Sequence, residues 1–190
     1  MFSGIIQEIG VVTNIDKNSG GSFCSIKSKK ISNKVKLGDS ISVNGVCLTV
    51  SNIKNDIFSV NIIDETLNIS NLSNLKTNTY VNLEPAISYN EKIDGHLVQG
   101  HVEGLGKITE ITNIGTEEVR YFISVKQSIL KYCIFKGSIA IDGISLTIAK
   151  LLDNAIVVAI IPYTLKNTIL KLSPDKNPWE KHVQISRNIW

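Results

Sequence analysis

The segment Asn44-Gly45-Val46-Cys47-Leu48-Thr49-Val50 returns in altered form as Asp142-Gly143-Ile144-Ser145-Leu146-Thr147-Ile148. Gly45 and Gly143 are 98 residues apart (143 − 45), and Thr49 and Thr147 keep that offset (147 − 49 = 98). Each copy is an Asn-Gly or Asp-Gly pair that opens into an apolar run carrying a threonine. Such dipeptides ahead of β-rich residues are strong short-range signals for a tight turn or hairpin. A chain of 190 residues that repeats at this distance divides into two like units of roughly 90 residues, each large enough for its own core. The copies differ in chemistry, with a thiol at Cys47 where the second has the hydroxyl of Ser145.

The flanks repeat as well. Gly4 to Val12 matches Gly100 to Ile108 at an offset of 96 (100 − 4), and Glu65-Thr66-Leu67 matches Tyr163-Thr164-Leu165 at 98 (164 − 66). Leu37 to Val43 matches Lys136 to Ile141, which sets Gly137 against Gly38. Strands are expected at Gly4–Val12, Ser22–Lys27, Ile41–Val43, Asp56–Ile62 and Thr79–Pro85, all β-branched or alternating and separated by turn residues. A helical turn is expected within Glu65–Leu72. A short helix is expected over Gln127–Phe135, with apolar residues at 129, 130, 133 and 134. Short strands at close spacing point to small antiparallel barrels. The chain therefore reads as all-β, with barrels at residues 1–88 and 96–190 and a polar, turn-rich linker at 89–95.

A formal net charge of +3 with no basic stripe argues against nucleic acid as a partner. No run approaches the roughly 18 apolar residues of a membrane helix, and Met1-Phe2-Ser3-Gly4 lacks the start of a signal peptide. Cys24, Cys47 and Cys133 fit neither a disulfide framework nor a metal knuckle, so a reducing, cytoplasmic setting is expected. Cys24 and Cys133 lie among apolar residues and read as small buried hydrophobes. His96 and His101, with His182 far off, make a weak metal signal, and no metal is expected. No phosphate-binding loop, dinucleotide fingerprint or Ser-His-Asp order is present.

Cys47 stands between a glycine turn and a strand, as a nucleophile or shape-setting contact facing a cleft, or as a core cysteine. Thr49, two residues on, shares its face, and Ser40 brings a hydroxyl nearby. Ser145 and Thr147 form the matching pair. His96 and His101 read either as proton-transfer groups or as structural hydrogen bonders at the junction. Lys136 and Asp142 read as a solvated charge and a turn residue, or as polar groups of the second site.

These segments together resemble the riboflavin synthase family. The likeness is carried by Met1 to Ile6, Asn44 to Val50, Glu65-Thr66-Leu67, Gly95 to Val102 and Lys136 to Thr147, and runs from residue 1 to about 170. It implies two tandem six-stranded Greek-key barrels, each binding one 6,7-dimethyl-8-ribityllumazine. Two such molecules dismutate: one gives a four-carbon unit to the other, yielding riboflavin and 5-amino-6-ribitylaminouracil without metal or redox cofactor. It implies a homotrimer with the site between the first barrel of one subunit and the second barrel of its neighbour. By resemblance Ser40, Cys47, Thr49 and Thr66 line the first site, and Ser145, Thr147, Ile161 and Thr164 the second. The expected catalytic set is Cys47, Ser40, His101, Lys136, Asp142 and Ser145, with no single base assigned. Phe2, Gly4, Thr49, Thr66, His96, Gly100, Val102, Thr147, Ile161 and Thr164 are the expected substrate contacts, Phe2 packing over the site from the amino-terminal end.

The carboxyl-terminal end departs from the family. Where the first half has Val81-Asn82-Leu83-Glu84, the second has Val183-Gln184-Ile185-Ser186-Arg187-Asn188. The family's acidic residues fall on Ser186 and Asn188, the latter counted among its catalytic groups. Tyr163 replaces the usual Glu, Ser173 to Lys181 is longer than usual, and the chain reaches Trp190 without the family's trimer-tying helix. A weakened or absent trimer is the corresponding expectation. Two further readings follow. One is a non-catalytic lumazine- or flavin-binding protein of the same superfamily, monomeric and of similar length; the other is an enzyme disabled at its altered end. The retained His96, His101 and Gly143 to Thr147 favour an active enzyme. A barrel-type interaction module accounts for none of these motifs.

Overall fold

The computed structural model describes residues 1–171 and 183–186, which form two closed antiparallel barrels. In the first, β1 (Glu8–Asn18), β2 (Gly21–Lys27), β3 (Ser40–Val43), β4 (Val46–Lys54), β5 (Ile57–Ile63) and β6 (Tyr80–Pro85) close in the order β1-β2-β5-β4-β3-β6. In the second, β7 (Gly104–Ile114), β8 (Glu118–Ser124), β9 (Ser138–Ile141), β10 (Ile144–Leu151), β11 (Ala155–Ile160) and β12 (Val183–Ser186) close in the equivalent order. The expected all-β pair of six-stranded barrels is what forms.

Inward positions carry Val12, Ile26, Phe58, Val60 and Leu83 in the first core, and Ile123, Ile141, Ile148, Ile156 and Ile185 in the second. Each such side chain contributes about 1.5–3 kcal/mol on burial. Both barrels bend at matching irregularities. One lies between Val12 and Asn14 and recurs between Ile108 and Glu110; another lies between Val50 and Asn52 and recurs between Ile148 and Lys150. A bulge adds local twist, which lets short strands close a narrow barrel.

Among the described residues three short α-helices connect strands: α1 (Asp64–Ile69), α2 (Gln127–Leu130) and α3 (Pro162–Asn167). The helix expected over Gln127–Phe135 stops at Leu130. Ile129 is buried, but Tyr132, Ile134 and Phe135 are at least half exposed, so no apolar stripe holds a second turn. Cys24 is fully buried, which pushes its thiol up to about 12, whereas Cys133 is only half-buried.

The strand expected from Gly4 begins only at Glu8; Gly4 takes a left-handed backbone (φ 77°), and Ser3 and Gly4 bond to the Glu84 side chain in place of a strand partner. The repeat register also shifts by one. Gly38 N–H donates to Val50 O and Lys136 N–H to Ile148 O, at 2.9 and 3.0 Å. Lys136, not Gly137, is therefore the counterpart of Gly38 (136 − 38 = 98), and it occupies a left-handed backbone position (φ 65°) that is glycine in the first barrel.

Candidate functional site

The two repeated turns meet face to face. Asn44-Gly45 and Asp142-Gly143 have positive φ at both residues, as a two-residue hairpin of this type requires. A Cβ on Gly45 would lie 2.6 Å from Gly143 N, and one on Gly143 would lie 2.7 Å from Gly45 N. Only glycine allows this approach. Around it lies a buried polar axis. Asn44 Oδ1 accepts from Asn82 N–H at 2.7 Å, and Asp142 Oδ1 accepts from Gln184 N–H at 2.8 Å. Asn82 Nδ2 donates to Asp142 O, Asn82 Oδ1 accepts from Ile169 N–H, and Asn71 Nδ2 donates to Asp142 Oδ1. Desolvation raises the Asp142 carboxyl to about 7, against the lowering effect of Gln184 and Asn71.

From this axis the leading segment of each half crosses to the other barrel. Ser145 N–H donates to Gly4 O at 2.7 Å, and Cys47 N–H donates to Gly100 O at 2.9 Å. Gly4 and Gly100 (φ 77° and 83°) lie so close that a Cβ on either would stand 2.7 Å from the Ser145 or Cys47 Cβ. Val102 is buried in the first core, and Ile6 packs on the second. Residues 86–103 thus separate the strands of the two barrels but not their packing. Between them Phe2 and Val98 exchange backbone hydrogen bonds at 2.8 and 2.9 Å. Phe2 is fully buried with Val98, Ala140, Cys47 and Ala86.

The result is two like strand faces, each covered in part by the opposite half. In the first, Cys47 and Thr49 lie on the outer face of β4 while Val46, Leu48 and Val50 point inward. Ser40 is the cross-strand partner of Thr49, and Gly100 covers Cys47. Ser40 also borders a polar groove of ≈ 620 Å³ shared with Ser3, Lys34, Glu84 and Lys92. Thr66 is half-buried on α1. In the second, Ser145 and Thr147 occupy the same face of β10, with Gly4 over Ser145. Thr164 is half-buried on α3, and Ile161 just before it is 57% exposed. Ser138, the cross-strand partner of Thr147, completes this set. Sequence reasoning passed over it, although the 98-residue offset leads from Ser40 directly to it (138 − 40).

The two histidines separate. His96 Nδ1 lies 2.7 Å from Ser145 Oγ, and His96 N–H donates to Ser3 O. Burial lowers the His96 pKa, which favours the neutral ring, and its Nε2 has no partner among the described residues. His101 is exposed, between Gly100 and Val102. Lys136 is exposed on the second barrel, with Nζ 5.3 Å from the Phe135 ring centre. Asp142 lies on neither of these strand faces; it is buried on the interbarrel axis. Ser186 is buried on β12, whereas Asn188, His182 and the 173–181 segment lie outside the described residues. Among the described residues no three His, Cys, Asp or Glu side chains gather as a metal site.

Glu84, also missed from sequence, organises the crossing. Its buried carboxylate accepts from Ser3 N–H and Ser3 Oγ at 2.7 and 2.8 Å and from Gly4 N–H at 3.0 Å. Desolvation raises its pKa, and these hydrogen bonds oppose the rise.

A family model described as a lumazine binding domain matches residues 3–86 and again 99–177. The riboflavin synthase of Actinobacillus pleuropneumoniae is 43% identical over 170 residues, covering 90% of this chain and 79% of that protein. That of Bacillus subtilis (strain 168) is 40% identical over 169 residues, covering 89% and 78%. A crystal structure of LumP complexed with riboflavin superposes with a TM-score of 0.87 at 25% identity, covering 99% of this chain and 100% of that one. LumP complexed with 6,7-dimethyl-8-(1'-D-ribityl) lumazine gives 0.85 at 24%, a likeness of fold.

Proposed function

The chain belongs to the riboflavin synthase family, and we propose that it catalyses that family's dismutation, with one lumazine held by each barrel. A four-carbon unit passes from one 6,7-dimethyl-8-ribityllumazine to another, leaving 5-amino-6-ribitylaminouracil and riboflavin. Two identical molecules supply every atom and electron of the products. The observation that carries the reading is the pair of like strand faces, one bearing a thiol and one a hydroxyl, each roofed by a glycine from the opposite half.

The 7-methyl group of a lumazine is a carbon acid, because its anion delocalises into the ring system. A protein must supply a proton acceptor, a polar wall for the anion and a fixed relation between two rings. Orientation alone can contribute roughly 7–11 kcal/mol. Cys47, Ser40, Thr49 and Thr66 hold one ring. Ser145, Thr147, Thr164 and Ile161 hold the other. The neutral His96 imidazole, hydrogen-bonded to Ser145 Oγ, fits proton exchange at that hydroxyl. Gly4, Gly100, Val102 and Phe2 shape the clefts, and Asp142 acts from the axis by fixing how the barrels meet. His101 and Lys136 stand exposed, available to a ring held partly by a second subunit.

The assembly in this reading is a homotrimer, first barrel to neighbouring second barrel. Exposed Ile134, Phe135, Ile161 and Tyr163 on the second barrel support such an association. Three free cysteines support a reducing cytoplasm, and among the described residues no helix is long and apolar enough to cross a membrane. Titration with 6,7-dimethyl-8-ribityllumazine under non-turnover conditions tests the reading. Saturation at two ligands per chain is expected; saturation at one makes the chain a lumazine binder and refutes it.

A further inference from the structure

Glu84 is paired with Ser42 across β6 and β3, and Ser186 is paired with Ala140 across β12 and β9. Ser42 and Ala140 are themselves repeat counterparts (140 − 42 = 98), so Ser186 stands where the first barrel has Glu84. Both positions are buried, at 2% and 5% exposure. Their chemistry is not equivalent. Glu84 spreads two oxygens over the Ser3 and Gly4 N–H groups and the Ser3 hydroxyl. Serine carries one oxygen, two bonds closer to the backbone, and cannot bridge two successive amides.

The segment that Glu84 holds is the one that covers the opposite barrel's strand at Ser145. Gly4, bonded through N–H to Glu84, presents its carbonyl to Ser145 N–H. Ser3, bonded twice to Glu84, presents its carbonyl to His96 N–H, and His96 in turn meets Ser145 Oγ. The symmetric roof, Gly100 over Cys47, belongs to the barrel that carries Ser186.

We propose that Glu84 is a positioning residue for the Ser145 cleft, and that serine at position 186 leaves the Cys47 cleft less firmly roofed, so that the two sites of one chain are unequal. The unequal roofing is a property of the chain itself. Its consequence, one tighter and one weaker lumazine site, rests on the function proposed above.

Amide hydrogen exchange on the intact chain without ligand reads the two roofs separately, through Ser145 N–H and Cys47 N–H. The Cys47 amide is expected to exchange at least about tenfold faster than the Ser145 amide after correction for intrinsic rates. Glu84→Gln should speed the Ser145 amide about tenfold, equivalent to about 1.4 kcal/mol, and leave the Cys47 amide unchanged. Ser3→Ala, which removes only one of the bonds, should act in the same direction and less. Core amides such as Val60 report any global loss of structure, and Ser186→Glu should slow the Cys47 amide. Equal protection of the two amides in the unsubstituted chain overturns the proposal, as does a Glu84→Gln effect on both roofs or neither. A lumazine titration then separates the two levels. Unequal exchange with no lumazine bound sinks the functional reading alone, whereas two equal lumazine sites with equal exchange sink the inference alone.

Discussion

Replacing Asp142 with asparagine should stabilise the protein above neutral pH. Asp142 is wholly buried and accepts from Gln184 N–H at 2.8 Å and Asn71 Nδ2 at 3.3 Å, both neutral donors. Burial moves its pKa from 3.8 to about 7. Between those values the native state keeps a proton that the unfolded chain has lost, so stability falls as pH rises through the window. Above about pH 7 the carboxyl is ionised in both states, and the native state carries the whole desolvation cost. The interval from 3.8 to about 7 corresponds to an upper bound of roughly 4 kcal/mol. Water penetration and relaxation around a buried ion reduce that to about 2 kcal/mol. Asparagine keeps the Oδ1 acceptor and the shape, as Asn44 does toward Asn82 in the first barrel. Asp142→Asn should therefore add about 2 kcal/mol near pH 8, a Tm rise of about 4–8 °C for a chain of this size, and nothing near pH 4. Glu84, shifted upward, adds a trend of the same sign, and His96, shifted downward, loses stability as pH falls below its ordinary value. Comparing variant with parent at each pH removes both. Urea unfolding at three pH values is sufficient, and equal stabilities near pH 8 would refute the reasoning.

Other substitutions probe the axis and the clefts. Gly45→Ala places a Cβ 2.6 Å from Gly143 N at φ 85°, and should cost about 2–4 kcal/mol in denaturant unfolding. Lys136→Gly relieves a left-handed lysine and should add about 1 kcal/mol, while lowering the riboflavin-forming rate at least about tenfold if its ammonium meets substrate; an undiminished rate removes Lys136 from the site. Cys47→Ser should slow turnover with Tm little changed. Full turnover would place Cys47 with the Phe2, Val98 and Ala140 packing cluster.

Local signals carried the sequence reading far. The Asn-Gly and Asp-Gly turns announce themselves by residue type, and the 98-residue offset between them implies a twofold arrangement. That Thr49 shares the face of Cys47, and Thr147 that of Ser145, was visible because strand alternation is a period-two pattern, but which face points outward was not. What stayed hidden is non-local. That Gly4 roofs Ser145 and Gly100 roofs Cys47 depends on a crossing between halves that no spacing encodes. Asp142 sits beside the Ser145 motif in sequence yet points into the axis, because the left-handed turn aims its side chain at Gln184. Glu84 reads as one acid in a strand until Ser3 and Gly4 fold over it. The one-residue slip at Lys136 arose from matching glycine to glycine, where the backbone matches conformation instead.

The most direct test of the central claim is to incubate the purified chain with 6,7-dimethyl-8-ribityllumazine, without added cofactor, and follow riboflavin by absorbance. One riboflavin is expected for every two lumazines consumed, at a rate per chain that rises with protein concentration if the site forms between subunits. Lumazine bound but never converted, at any protein concentration, would contradict it.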